Sequence, residues 1–117
     1  MNSFEIEVKE IRNTQIIQIK GYFSADAGKN VNDLIDDLLR KNKLDFIIDF
    51  SVCKLINSPG VVALMDSTMK IVDDYKGKLF FIGVDDLKVS VFKMAGVFPL
   101  AGKATSLDEA LLKIKGK

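Results

Sequence analysis

The 117-residue chain contains no histidine, one cysteine and two prolines. Without histidine, no Ser-His-Asp or Cys-His catalytic device can be assembled, and no imidazole is available to a metal. Catalysis would have to rest on carboxylates, lysines or backbone amides. Cys53 has no partner for an internal disulfide, which fits a reducing compartment, and its place after an apolar strand marks it as a small core residue. No apolar run approaches the ~20 residues that span a bilayer. Met1-Asn2-Ser3-Phe4-Glu5 lacks the basic-then-apolar build of a signal peptide, so a cytoplasmic location is expected. The formal net charge is +1, with no basic block for nucleic acid and no acidic tail. Neither G-x-G-x-x-G nor a P-loop is present. Asp73-Asp74 and Asp85-Asp86 lack companion ligands and read as helix-end charges, so no metal or cofactor is expected.

What remains is an ordinary globular composition, 48% hydrophobic and 28% charged, at a length that predicts one domain over residues 1–117. Phe4 to Lys9 and Gln15 to Lys20 alternate with the period of two expected of half-buried strands, with a turn near Asn13, and predict an N-terminal hairpin that ends at Gly21. From Asp26 the period changes. Ala27, Val31, Leu34, Ile35, Leu38 and Leu39 form one helical stripe, with Gly28 a weak point in its first turn. Leu44 to Phe50 is apolar on both faces and predicts a central strand. A helix reaching about Tyr75 follows, with Gly77 as its C′ residue. Its apolar residues, Val61, Val62, Leu64, Met65, Met69, Ile71 and Val72, fill more than one stripe. Either the helix is deeply packed or its first turns present an apolar surface. Leu79 to Ile82 predicts a further strand, and Asp85 or Asp86 caps a helix that reaches Met94. Val97 to Leu100 predicts an edge strand, and Ser106-x-x-Glu109 a capping box before a last helix. Strands alternating with helices predict an α/β fold with a mainly parallel sheet and about four helices.

The stretch Leu55 to Met65 organises the rest. Ser58 is placed as the N-cap of the second helix, with Pro59 at its first position, where a missing N–H costs nothing. One reading of Ser58 is a cap worth ~1 kcal/mol. The other is a regulatory phosphorylation site, because a helix N-terminus favours an anion. Spacing alone leaves both open.

Taken together, Gly21, the strand end Ile47-Ile48-Asp49-Phe50-Ser51, Leu55-Ile56-Asn57-Ser58-Pro59-Gly60 and its apolar helix resemble the STAS domain of bacterial anti-sigma factor antagonists. Gly77 to Phe81, Met94 to Phe98 and Ser106 to Leu111 extend the likeness over residues 4–114. The resemblance implies a single STAS-type domain with no enzymatic activity. It would be a switch that binds an anti-sigma factor/serine kinase to release a sigma factor. In that family the first serine of an Asp-Ser-Ser/Thr-Gly junction is phosphorylated, and this serine falls on Ser58; a PP2C-type phosphatase resets it. Implied partner-binding residues are Phe23, Ser24, Asn57, Ser58, Pro59, Gly60, Val61, Val62 and Met65. Asn57, Pro59 and Ser24 depart from the family pattern, replacing an aspartate, a hydroxyl residue and a second aspartate. The alternatives are a non-phosphorylated STAS scaffold subunit, self-associating as a homodimer, and a ligand-sensing STAS module.

Overall fold

A computed structural model describes residues 3–98 and 100–116. One five-stranded sheet, ordered β1-β2-β3-β4-β5, carries four α-helices. β1 (Phe4–Ile11) pairs antiparallel with β2 (Thr14–Phe23). Arg12 and Asn13 join them with φ of 50° and 67°, the pair of positive angles that a two-residue type I′ turn demands. From β2 onward every neighbour is parallel: β3 (Asp45–Ile56), β4 (Lys78–Ile82) and the short β5 (Gly102–Lys103). The mainly parallel α/β sheet with its hairpin is therefore as expected.

The helices divide between the two faces. α1 (Ala25–Arg40), α2 (Ser58–Met69) and α3 (Asp86–Ala95) cover one face, and α4 (Leu107–Lys115) the other. α1 buries Ala27, Val31, Ile35 and Leu39 on its predicted stripe, against Ile17, Ile19, Phe46 and Ile48 of the sheet. Each large side chain of that stripe contributes ~1.5–3 kcal/mol by leaving water. Phe50 sits at the centre of this layer, edge-on to Phe23 (6.1 Å) and Phe81 (5.6 Å) and tilted against Phe92 (5.3 Å). Ile47 points the other way, with Ile16 and Ile82, under Ala110, Leu111 and Ile114 of α4. β3 is thus covered on both faces along its first half.

Gly28 costs helix propensity for a steric reason. A Cβ there would lie 2.4 Å from the Ala63 Cβ, so the glycine lets α1 and α2 pack backbone to backbone. The two helices are also tied by the Lys70–Asp36 ion pair (2.6 Å) and by the Ser67 hydroxyl donating to the Asn32 side chain.

Several boundaries differ from expectation. β2 does not end at Gly21; the glycine adopts φ of 84° inside a strand that runs on to Phe23. β3 runs six residues past Phe50. The second helix becomes a π-helical turn over Lys70–Asp74, closed by the Tyr75 N–H on the Lys70 carbonyl (3.1 Å). Lys76, with φ of 59°, takes the left-handed position expected of Gly77. Gly77 is required for space, since a Cβ would lie 2.3 Å from the Leu44 carbonyl oxygen. The last edge strand is Gly102–Lys103, not Val97 to Leu100, of which Pro99 lies outside the described residues. Val97 is buried and its N–H closes the Gly96 cap on Phe92.

Candidate partner-docking surface

The surface forms where β2 and β3 end and α2 begins. The serine is not the cap. Asn57, extended at φ −103° and ψ 174°, occupies the N-cap, and its Oδ1 accepts from the Gly60 N–H (2.8 Å). The Asn57 carbonyl takes the Val61 N–H (3.0 Å), the first bond of the helix, and the Asn57 N–H donates to the Phe23 carbonyl (3.2 Å). Ser58 is therefore the first helical residue and Pro59 the second. The proline is tolerated there too, because that N–H also precedes the intrahelical ladder. The reason for the shift is the Phe23 contact, which anchors Asn57 to the end of β2 and starts the helix one residue earlier than a Ser58 cap would.

This anchoring sorts the expected partner-binding residues into two layers. Ser58, Pro59 and Val62 are exposed, Val62 by 61%. Ser24, Asn57 and Met65 are half-buried at the rim. Phe23, Gly60 and Val61 are buried, so the expectation that they meet a partner directly is corrected: they hold the surface from beneath. A Cβ on Gly60 would lie 2.2 Å from the Phe23 carbonyl oxygen, so this turn of α2 rests directly on the β2 backbone. Ser24 stands at the N-cap of α1, with φ −103° and no side-chain capping bond.

Period-two reasoning also missed two exposed apolar residues near the end of β3. The β2–β3 register slips twice, between Gln18 and Lys20 and between Gly21 and Tyr22, so that Val52 lies opposite Lys20 and Leu55 opposite Tyr22. Cys53 and Ile56, opposite Gly21 and Phe23, stay on the helix-covered side. Val52 and Leu55 face the other way, beyond the end of β4, and are 46% and 61% exposed. The only sequence signal was the break in alternation after Phe50.

The titratable groups nearby are structural. Burial pushes the Cys53 thiol up, partly offset by the Lys88 charge and by backbone hydrogen bonding at Leu55 and Phe23. That leaves it protonated and unreactive at neutral pH. Asp85 caps α3: its Oδ1 accepts from the Lys88 N–H (2.9 Å) and its Oδ2 from the Lys88 ammonium (3.1 Å). Chiefly the backbone bond, then the ammonium, holds the Asp85 carboxyl below its ordinary range. The Lys88 side chain is itself buried and so stands with its charge matched. Among the described residues no group of three or more His, Cys, Asp or Glu is placed to hold a metal ion. A cavity of about 370 Å³ lined by Arg12, Thr14, Asp45, Leu111, Ile114 and Lys115 lies at the opposite end of the sheet, where β2 and β3 begin. No described helix is long and apolar enough to cross a membrane.

No protein-family model and no curated protein sequence matches the chain. Solved structures do. An anti-sigma factor antagonist from Mycobacterium paratuberculosis superimposes with a TM-score of 0.83 at 14% identity, over 97% of this chain and 96% of that one. The Bacillus cell fate determinant SpoIIAA, in its phosphorylated form, gives 0.73 at 19% identity over 96% and 99%. A sulfate transporter family protein from Wolinella succinogenes gives 0.76 at 19% identity over 92% and 88%. The chain thus has the STAS-type fold, the α/β fold of the anti-sigma factor antagonists.

Proposed function

We propose that the chain is an anti-sigma factor antagonist, a cytoplasmic protein that works by binding and not by catalysis. It docks on an anti-sigma factor/serine kinase through the Ser58 end of α2 and so frees a sigma factor. Phosphorylation of Ser58 releases it, and a PP2C-type phosphatase restores it. The observation that carries this reading is the Asn57-capped start of α2. It sets an exposed serine hydroxyl beside exposed Pro59 and Val62 on a fold that antagonists share. SpoIIAA, which shares the fold, has been solved both unphosphorylated and phosphorylated.

The chemistry of a switch follows from the composition of the surface. Ser24, Asn57, Ser58, Pro59 and Val62 carry no charge. A phosphate brings about −1.5 to −2 charges onto it, opposing dehydration of the contact. Asn57 already fills the Gly60 amide, and Pro59 has none. The phosphate therefore has few helix amides to fold back onto and faces the partner.

The test is binding of Ser58→Ala and Ser58→Glu to the cognate kinase, with intact mass and peptide mapping of the chain from its own source. Retained binding by the alanine variant, loss by the glutamate variant and a phosphate on the Ser58 peptide support the switch. Equal affinity of the two variants, or an unmodified chain under every growth condition, leaves a fixed scaffold subunit in its place.

A further inference from the structure

β1 is an edge strand of eight residues with no proline and no bulge, and among the described residues no strand pairs with its outer side. Such an edge offers a row of unpaired backbone groups. Their identity can be worked out. The Tyr22 N–H donates to the Ser3 carbonyl (3.1 Å), and the register then runs without a break from Phe4 opposite Gly21 to Ile11 opposite Thr14. In an antiparallel ladder, residues alternate between bonding inward and bonding outward. Ser3 and the odd-numbered residues bond to β2. Phe4, Ile6, Val8 and Glu10 turn their N–H and C=O groups outward. Val8 is the exposed apolar residue at the middle of that row.

We propose that β1 is a homodimer interface, pairing antiparallel with β1 of a second copy about a two-fold axis through Val8. A two-fold pairing keeps residues of one face opposite one another, so the axis must pass through a residue, and charge chooses which. Centred on Glu7, that residue opposes itself. Centred on Ile6, Glu5 opposes Glu7, and centred on Lys9, the lysine opposes itself. Centred on Val8, Glu7 of each copy faces Lys9 of the other, twice, in the closely spaced non-hydrogen-bonded position where side chains lie nearest. Val8 meets Val8, and Ile6 and Glu10 exchange backbone bonds with Glu10 and Ile6 of the second copy. No like charges then stand opposite. Within the chain Glu7 already holds Lys20 (2.9 Å), which keeps its carboxylate oriented on the face that Lys9 shares. The two sheets become one, and the Ser58 surface, at the far end of β3, stays open.

The experiment is sedimentation velocity over a dilution series. The full wild-type chain dimerises reversibly. Lys9→Glu and Glu7→Lys each set like charges face to face and raise the dissociation constant at least about ten-fold. Mixed in equal amounts, the two variants recover wild-type affinity as a heterodimer, because every facing pair is then opposite in sign. Val8→Pro, whose lost N–H points outward, keeps the circular dichroism of wild type and, at dilutions where wild type is itself monomeric, its melting temperature, yet does not dimerise. A wild-type chain still monomeric at about 1 mM overturns the proposal. So does dimerisation of Val8→Pro, or a mixture no tighter than its components.

Discussion

Replacing Gly60 with alanine tests the contact on which the whole docking surface rests. Gly60 lies in the first turn of α2, where alanine is the better helix former by up to about 1 kcal/mol. Propensity alone therefore predicts stabilisation. The structure predicts the reverse. The new Cβ falls 2.2 Å from the Phe23 carbonyl oxygen and 3.1 Å from Phe23 Cδ2. A carbon and a carbonyl oxygen settle at roughly 3.3 Å or more, so the start of α2 must lift by about 1 Å. That same carbonyl accepts the Asn57 N–H at 3.2 Å, already near the long end of the range, and the bond is lost. Overpacking costs about 1–3 kcal/mol and the hydrogen bond about 0.5–1.5. Set against the propensity gain, the net destabilisation is about 1–3 kcal/mol. At this chain length that lowers the melting temperature by roughly 3–15 °C. Thermal unfolding followed by calorimetry measures it, with exposed Ser58→Ala as the control for a change that touches no backbone. Because Phe23 also packs against Phe50, the variant should lose partner binding by more than its stability loss accounts for. A melting temperature equal to or above that of wild type refutes the argument.

Three further outcomes are expected. Asn57→Ala removes the cap and leaves the Gly60 amide unpaired, costing ~1 kcal/mol in urea unfolding, whereas Asn57→Asp keeps the cap and adds about 0.3–1 kcal/mol through the helix dipole; equal midpoints for the two variants count against the assigned cap. Val62→Asp, at an exposed position, should stay within about 0.5 kcal/mol of wild-type stability and lose docking, and global unfolding would place Val62 in the core instead. The Glu109 carboxyl accepts from the Thr105 hydroxyl (2.6 Å) and the Thr105 N–H (2.7 Å), with Lys113 adding a weaker pull, and is held down to about 2. A depressed folded value stabilises above the unfolded value, near 4.5, and that contribution disappears as pH falls toward 2. The stability gap between wild type and Glu109→Gln should thus narrow from pH 6 to pH 2, and a constant gap would contradict it.

The elements that could be read directly from the residues were those with a single period and one covered face. The α1 stripe and the alternation of β1 worked because each position has one choice of side. The capping box before α4 was legible too, with Ser106 Oγ on the Glu109 N–H (3.1 Å), although the glutamate reaches back to Thr105, one residue earlier than the usual arrangement. The candidate site was less legible, for two physical reasons. Asn57 and Ser58 are equally good caps, and proline suits either of the first two helical positions, so local chemistry leaves the start of α2 undecided by one residue. The Phe23–Asn57 bond decides it, and that bond joins residues far apart in the chain. The second reason is the pair of β3 bulges. Each bulge inserts a residue without altering composition, so the Ser51 to Ile56 stretch lost its alternation and did not read as strand. With it went the exposure of Val52 and Leu55. Neighbouring valines show the same limit: Val61 is 8% exposed and Val62 61%, a difference set by the side of α2 each occupies in the fold, not by the side chains.

Asn57 also sets the state from which phosphorylation starts under the proposed role. With an aspartate at that position, the unmodified surface would already be negative, and a phosphate would add to an existing field. With asparagine, Ser24, Asn57, Ser58, Pro59 and Val62 are all neutral, so modification takes the patch from no charge to nearly two. A carboxylate on the partner about 4 Å away feels on the order of 1 kcal/mol per charge if bulk water remains between them, and about 4 at the effective dielectric typical near a protein surface. The second value is the relevant one for a surface built from Val62 and Pro59, since apolar contacts exclude bulk water. A neutral patch therefore docks with little dependence on salt when unmodified, and loses affinity by several orders of magnitude when modified. The increment from the phosphate is the same with either residue at position 57; what the asparagine changes is the starting point, since it adds no charge of its own to oppose docking in the unmodified state.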